Sequence, residues 1–185
     1  MGSSPNQWER ALKLVGSAIE LVTSGARTPT ELADHLQGFV FGQFIFEVDF
    51  DDPEWDRIDR NACAFVGAIT ASDYPRKYRG KKRVTVRLQK FDHDAYDREL
   101  IDLTKRQREA LPDRAISETF GRKFPGEQQK SPVIGICGDP VQRGGRLCSP
   151  DVSLVSGGVD LDWYGLGSQW DRRCRFLVVC SVVDL

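Results

Sequence analysis

Near the N-terminus the apolar positions fall at helical intervals. Trp8, Leu12, Val15, Ile19 and Val22 step by four and three residues in turn, which gathers them into one stripe on a helix. Gly25 suits a left-handed stop. Thr28, Pro29 and Glu31 form a capping box with proline at the first helical position, and Leu32, Leu36, Phe39 and Val40 supply the inner face of a second helix. The pattern predicts a two-helix hairpin over 1–43. Two helices cannot bury both stripes alone, so the hairpin needs the remaining chain or a partner to pack on.

From 44 onward the period changes to two. Phe44, Phe46, Val48 and Phe50 alternate with Ile45, Glu47 and Asp49, as do Val84, Val86 and Leu88 with Arg83, Thr85, Arg87 and Gln89. Both read as strands with one wet face. "ACAFVGAIT" and "PVIGIC" read as shorter strands, and "GVDLDWY" alternates again. "RFLVVCSVV" is apolar on both faces, as a central strand would be. Between them, Tyr96, Leu100, Leu103 and Leu111 mark a helix that Asp94 can cap. Asp113 can cap a shorter helix carrying Ile116, Phe120 and Phe124, which "PG" at 125–126 would close. "GDPVQRGGR" lacks the ending of a phosphate-cradling loop and reads as a hairpin turn. The expected fold is α+β: the N-terminal two-helix hairpin packed on a mostly antiparallel sheet, with one or two inserted helices. The 1–43 and 44–185 units are expected to form one compact body.

The succession "VTVRLQKF", a charged helix, "LPDRAISETFGRKFPGEQQKSPVIGICG", "VDLDWYG" and Trp170 before "RFLVV" resembles a family of small uncharacterised bacterial proteins. The Leu36-Gln37 pair, Pro132-Val133 leading to Gly135 or Gly138, and Arg175-Phe176-Leu177 carry the resemblance. The terminal "CSVVDL" departs from it, being apolar and acidic where a basic residue belongs. The resemblance implies a compact α+β unit and brings no activity or catalytic residue with it.

Composition narrows the function classes. The net charge of −1 gives no global drive toward nucleic acid or anionic lipid, so any such partner needs a local patch. Five cysteines without a Cys-x-x-Cys pair fit neither a disulfide scaffold nor a zinc ribbon. No basic-then-apolar leader opens the chain, and no apolar run nears the ~20 residues that cross a bilayer. A cytoplasmic protein with reduced thiols, no cofactor and no membrane partner is expected.

The local patch exists in "YPRKYRGKKRVTVRLQK" at 74–90, with eight basic residues and no acid. Arg76, Lys77, Arg79, Lys81, Lys82 and Arg83 lie on or beside a loop where phosphates could be reached, and Tyr74 and Tyr78 could stack on bases. The bland alternative is a solvated loop and edge strand. Seven acids lie upstream between Glu47 and Asp59; if they face the basic stretch, much of its field disappears. Asp49, Asp51 and Asp52 could in principle hold a metal for phosphodiester hydrolysis, although a solvated acidic loop is the plainer reading.

The remaining candidates are weaker. In "DHD" at 92–94 the helix cap explains Asp94, and His35 is the only other histidine, so a histidine triad has little support. Cys174 and Cys180 are expected on one strand face with Phe176 and Val178, as small buried hydrophobes. Trp163, Tyr164 and Trp170 lie among glycines, and any ring exposed beside Arg172, Arg173 and Arg146 would suit a partner's hot spot. The leading reading is a non-enzymatic interaction or regulatory module. It binds a macromolecular partner, most simply a protein, through the 74–83 loop, with Arg76, Lys77, Tyr78, Arg79, Lys81, Lys82 and Arg83, and through a C-terminal surface bearing Trp170 and Arg172. Nucleic-acid binding and a small metal-dependent nuclease are the alternatives.

Overall fold

The computed structural model describes Gly16, residues 42–138 and residues 140–185. The predicted N-terminal hairpin lies outside the described residues, Gly16 apart. The chain divides between Ile45 and Phe46, inside its first strand, and the account below concerns that strand and the residues after it.

The fold is α+β, built on a mostly antiparallel sheet. Its strands are β1 (Gln43–Asp49), β2 (Phe65–Val66), β3 (Lys81–Lys90), β5 (Val133–Ile136), β6 (Val141–Arg143), β7 (Arg146–Val155), β8 (Gly158–Gly165) and β10 (Arg175–Asp184). They run in the order β1-β3-β10-β5-β7-β8-β2, with β6 on β7. β10 is parallel to β5, and β2 to β8. β4 (Ala95–Tyr96) and β9 (Gln169–Trp170) make a separate two-stranded ribbon. The helices are α1 (Asp97–Gln107), α2 (Arg114–Lys123) and α3 (Pro125–Lys130).

Strand position follows the sequence period. β10 sits between β3 and β5, and Phe176, Leu177, Val178 and Val179 are all buried. β3 buries Val84 and Val86 and leaves its alternate residues half-wet. Successive β5 residues face opposite ways. Ile134 and Ile136 join Leu100 of α1, Phe176 and Val178 in one cluster. Gly135 faces α2, where a Cβ would stand 2.3 Å from Ser117 Oγ. The two helices therefore cover opposite faces of the sheet, and glycine at 135 is what lets α2 come so close.

Several local expectations need correction. Asp94 does not cap α1: Tyr96 holds the cap position, with its N–H donating to Glu99 at 2.9 Å, while Asp94 accepts the Arg172 N–H. The proline at 125 opens a helix instead of closing one, since it stands at the first position of α3, where a missing N–H costs nothing. "ACAFVGAIT" yields only the two-residue β2. Cys174 precedes β10 and packs against the cluster of Phe176 and Val178, and a bulge falls at Cys180, beside the Arg87–Glu109 pair. Both thiols are half-buried, and Cys180 Sγ lies 3.6 Å from Glu109 Oε1. Asp113 does cap α2, accepting the Ile116 N–H at 3.0 Å. The turn predicted in "GDPVQRGGR" is the β6–β7 hairpin, with Gly144 and Gly145 at φ 56° and 78°, a tight two-residue turn that needs positive φ twice.

Candidate functional site

The basic stretch at 76–83 meets the upstream acids. Arg76 pairs with Asp56, Arg79 with Asp51 at 3.8 Å, Lys81 with Asp49 at 3.9 Å and Arg83 with Glu47 at 3.6 Å. Lys82 pairs with Asp184, and Lys77 donates to the Leu111 carbonyl at 3.2 Å. The register produces this seam. β1 and β3 are neighbours, and the Phe50 N–H bonds the Gly80 carbonyl at 3.0 Å while the Gly80 N–H bonds Asp51 at 3.0 Å.

The rings of this region are occupied as well. Tyr74 is buried and donates its hydroxyl to the Asp151 carbonyl at 2.9 Å. Tyr78 packs on Phe50 with centroids 5.2 Å apart. Beneath them lies Arg114, 6% exposed. It holds Glu118 at 2.5 Å and the Arg57 carbonyl at 3.0 Å, with Trp55 and Tyr74 rings 6.0 and 5.7 Å from its guanidinium carbon.

The candidate metal ligands are spent on the protein itself. Asp49 accepts the Asp51 N–H and Asp52 accepts the Glu54 N–H, capping the turn Pro53–Asp56. Asp51 holds Gly80 and Arg79. Among the described residues no group of three or more His, Cys, Asp or Glu side chains is placed to hold a metal, which weighs against the nuclease alternative. Two other carboxyls are perturbed by burial. Asp113 is pushed up to about 6 by burial, partly offset by the Ile116 N–H and by Lys77. Asp151 is pushed up to about 7, first by burial, with the Ser153 hydroxyl opposing and Asp162 and Asp160 adding. Asp151 stands directly across the ladder from Asp162.

A second basic region lies near the C-terminus, and it is differently built. Arg175 begins β10, opposite Lys90 at the end of β3 and beside Val133 at the start of β5. These strand ends and the end of α3 border a cleft of about 620 Å³ lined by Lys90, Lys130, Ser131, Pro132, Asp171, Arg173, Cys174 and Arg175. Arg175 is its fixed floor: the guanidinium bonds Glu127 Oε2 at 2.7 Å, Ser131 Oγ at 2.7 Å and the Glu127 carbonyl. Burial would raise Glu127, but its bonds to Lys130 and Arg175 prevail and hold it below the usual range. Arg173 grips Asp171 through Nε at 3.0 Å and Nη2 at 2.8 Å. That contact and the Arg173 N–H hold Asp171 down at about 2.

Aromatic rings back this basic surface. Trp170 stacks on Tyr164 with centroids 4.2 Å apart and meets Phe176 edge-on at 5.8 Å. Phe176 in turn packs edge-on with Phe91. Trp170 is half-buried in this stack and immediately precedes the turn in which the Cys174 N–H bonds the Asp171 carbonyl at 2.8 Å. Arg172 is exposed and is tied through its N–H to Asp94. Trp163 lies elsewhere, under the Arg143 guanidinium at 4.5 Å. Sequence reasoning missed Lys90, Lys130 and Ser131 as members of one site. Their separation along the chain leaves no local signal; only the β3–β10–β5 register brings them together.

No family model, curated protein or solved structure matches this chain. No helix among the described residues is long and apolar enough to cross a membrane.

Proposed function

We propose that this protein is a non-enzymatic binding module whose partner docks in the C-terminal basic cleft between Lys90, Lys130, Arg173 and Arg175. One observation carries the reading. The four cations lining the cleft share two acids, Asp171 and Glu127, and Lys90 pairs with neither, whereas five cations of 76–83 are matched one for one by acids of the same chain. A volume of about 620 Å³ falls within the roughly 300–1,000 Å³ of sites that engage ligands. Trp170 and Arg172 serve the site from its rim, Trp170 from the position just before the 171–174 turn.

The loop from Arg76 to Arg83, with Tyr78, carries a second reading, as a nucleic-acid contact. Arg79 and Lys81 favour it, each 73% exposed in its side chain and paired only at 3.8–3.9 Å. Cross-linking to a saturable partner separates the two readings. Lys90→Glu with Arg173→Glu abolishes the cross-link if the cleft is the site, while Lys81→Glu with Arg83→Glu leaves it intact. The reverse result transfers the function to the loop.

A further inference from the structure

The cleft's own contacts indicate what it binds. We infer that it takes a short acidic peptide segment laid in extended form across the ends of β3, β10 and β5; this rests on the cleft being the docking site.

Carboxylate is the anion this surface already accepts. Arg173 holds Asp171 by two bonds, and Arg175 and Lys130 share Glu127. What is left over is also defined. Lys90 has no acidic partner among the described residues, and Arg173 commits Nε and Nη2 but not Nη1. Lys130 is 66% exposed beyond its single pairing. Arg175 has every nitrogen engaged, so it contributes chiefly a fixed positive floor, with one N–H of Nη1 left over.

The lining argues against single-stranded nucleic acid. Such ligands gain much of their affinity from bases stacking on exposed rings, and no aromatic residue lines this cleft. The nearby rings of Phe91, Trp170 and Phe176 are packed on one another or on the core. In their place the lining offers Pro132 and Cys174, small apolar surfaces suited to a peptide's aliphatic atoms.

Geometry sets the segment's length. From Lys90 across Arg175 to Val133 is two strand spacings, roughly 10 Å. An extended peptide advances about 3.3 Å per residue, so a segment of about three residues crosses the cleft. Acids two residues apart then reach cations on the two sides, and the residue set against Asp171 must be uncharged.

The probe is a fluorescein-labelled peptide alternating glutamate and glycine, titrated into the full chain by anisotropy, with amide chemical shifts to locate it. The expected result is saturable binding that moves the Lys90, Arg173 and Arg175 amides and weakens as salt rises. Lys90→Gln with Arg173→Gln should weaken it about tenfold. Circular dichroism of that variant, and of the milder Lys90→Gln alone, confirms that folding is intact. Equal binding of the same peptide with glutamine for glutamate overturns the inference, as does equal affinity for free succinate. If oligothymidylate or a phosphoserine peptide moves the cleft amides and the glutamate peptide does not, the partner class is wrong and the docking site stands. If none of these probes moves those amides, the docking site itself falls.

Discussion

Two basic regions of this protein have similar residue content and differ in how many acids are set against their cations. In the 76–83 seam each strand-end cation meets a carboxylate from 47–56 or from Asp184. In the cleft, four lining cations face Asp171, with Glu127 behind them. A run of positive charge is therefore no measure of positive potential. The acids brought opposite it decide the field, and here sheet order makes that choice.

The largest effect that could break this comparison lies under the seam. Arg114 is buried with its charge held by Glu118 and its guanidinium near the Trp55 and Tyr74 rings. Removing one partner of a buried pair costs about 3–5 kcal/mol. Arg114→Ala should lower the denaturation free energy by about that much in urea unfolding, and a change below ~1 kcal/mol would mean the seam does not depend on it.

The next effect is a pH dependence at Asp151, whose carbonyl anchors Tyr74. Its folded value of about 7 lies above its ordinary 3.8, so between these values the folded state holds the extra proton. Stability from this group is full below pH ~4 and is lost as pH rises toward ~7. Asp151→Asn should therefore stabilise the protein by on the order of 2 kcal/mol at pH 8 and by little at pH 4. Thermal melts across that range check the sign; an effect that does not vary with pH would refute the assignment.

Removing the acids sharpens the contrast directly. Glu47→Gln, Asp49→Asn, Asp51→Asn and Asp56→Asn together should release the seam's cations. Binding to single-stranded DNA should then appear, with a log–log salt slope of about −0.7 per phosphate contacted. If the wild-type chain already binds as tightly, the seam is not self-neutralised. The smallest effect is on stability. Lys90→Glu in the cleft should change the unfolding free energy by under ~0.5 kcal/mol. Arg83→Glu, which sets like charges together at Glu47, should cost up to about 1 kcal/mol and less in high salt.

Much of the architecture was legible as periodicity. Val84, Val86 and Leu88 alternate because one face of β3 is wet, and β10 reads as continuously apolar because both of its faces are buried over Phe176 to Val179. The α2 cap at Asp113 is a local bond and so is local information. Asp94 misled because its geometry suits a cap, yet the competing partner was the Arg172 N–H, far along the chain. The expected burial of Cys180 was only half met, because the Arg87–Glu109 ion pair, drawn from β3 and the chain after α1, lies beside it.

The sequence by itself determined the α+β class, the core strands and the presence of two opposed charge runs, since each is written in residues close together. Only the tertiary structure decided that Glu47–Asp56 would cancel Arg76–Arg83, because that depends on β1 lying beside β3. It also decided that Lys90, Lys130 and Arg175 would share a cleft. Charge acts through space over about 8–10 Å at ordinary salt, and that distance is measured across strands and not along the chain.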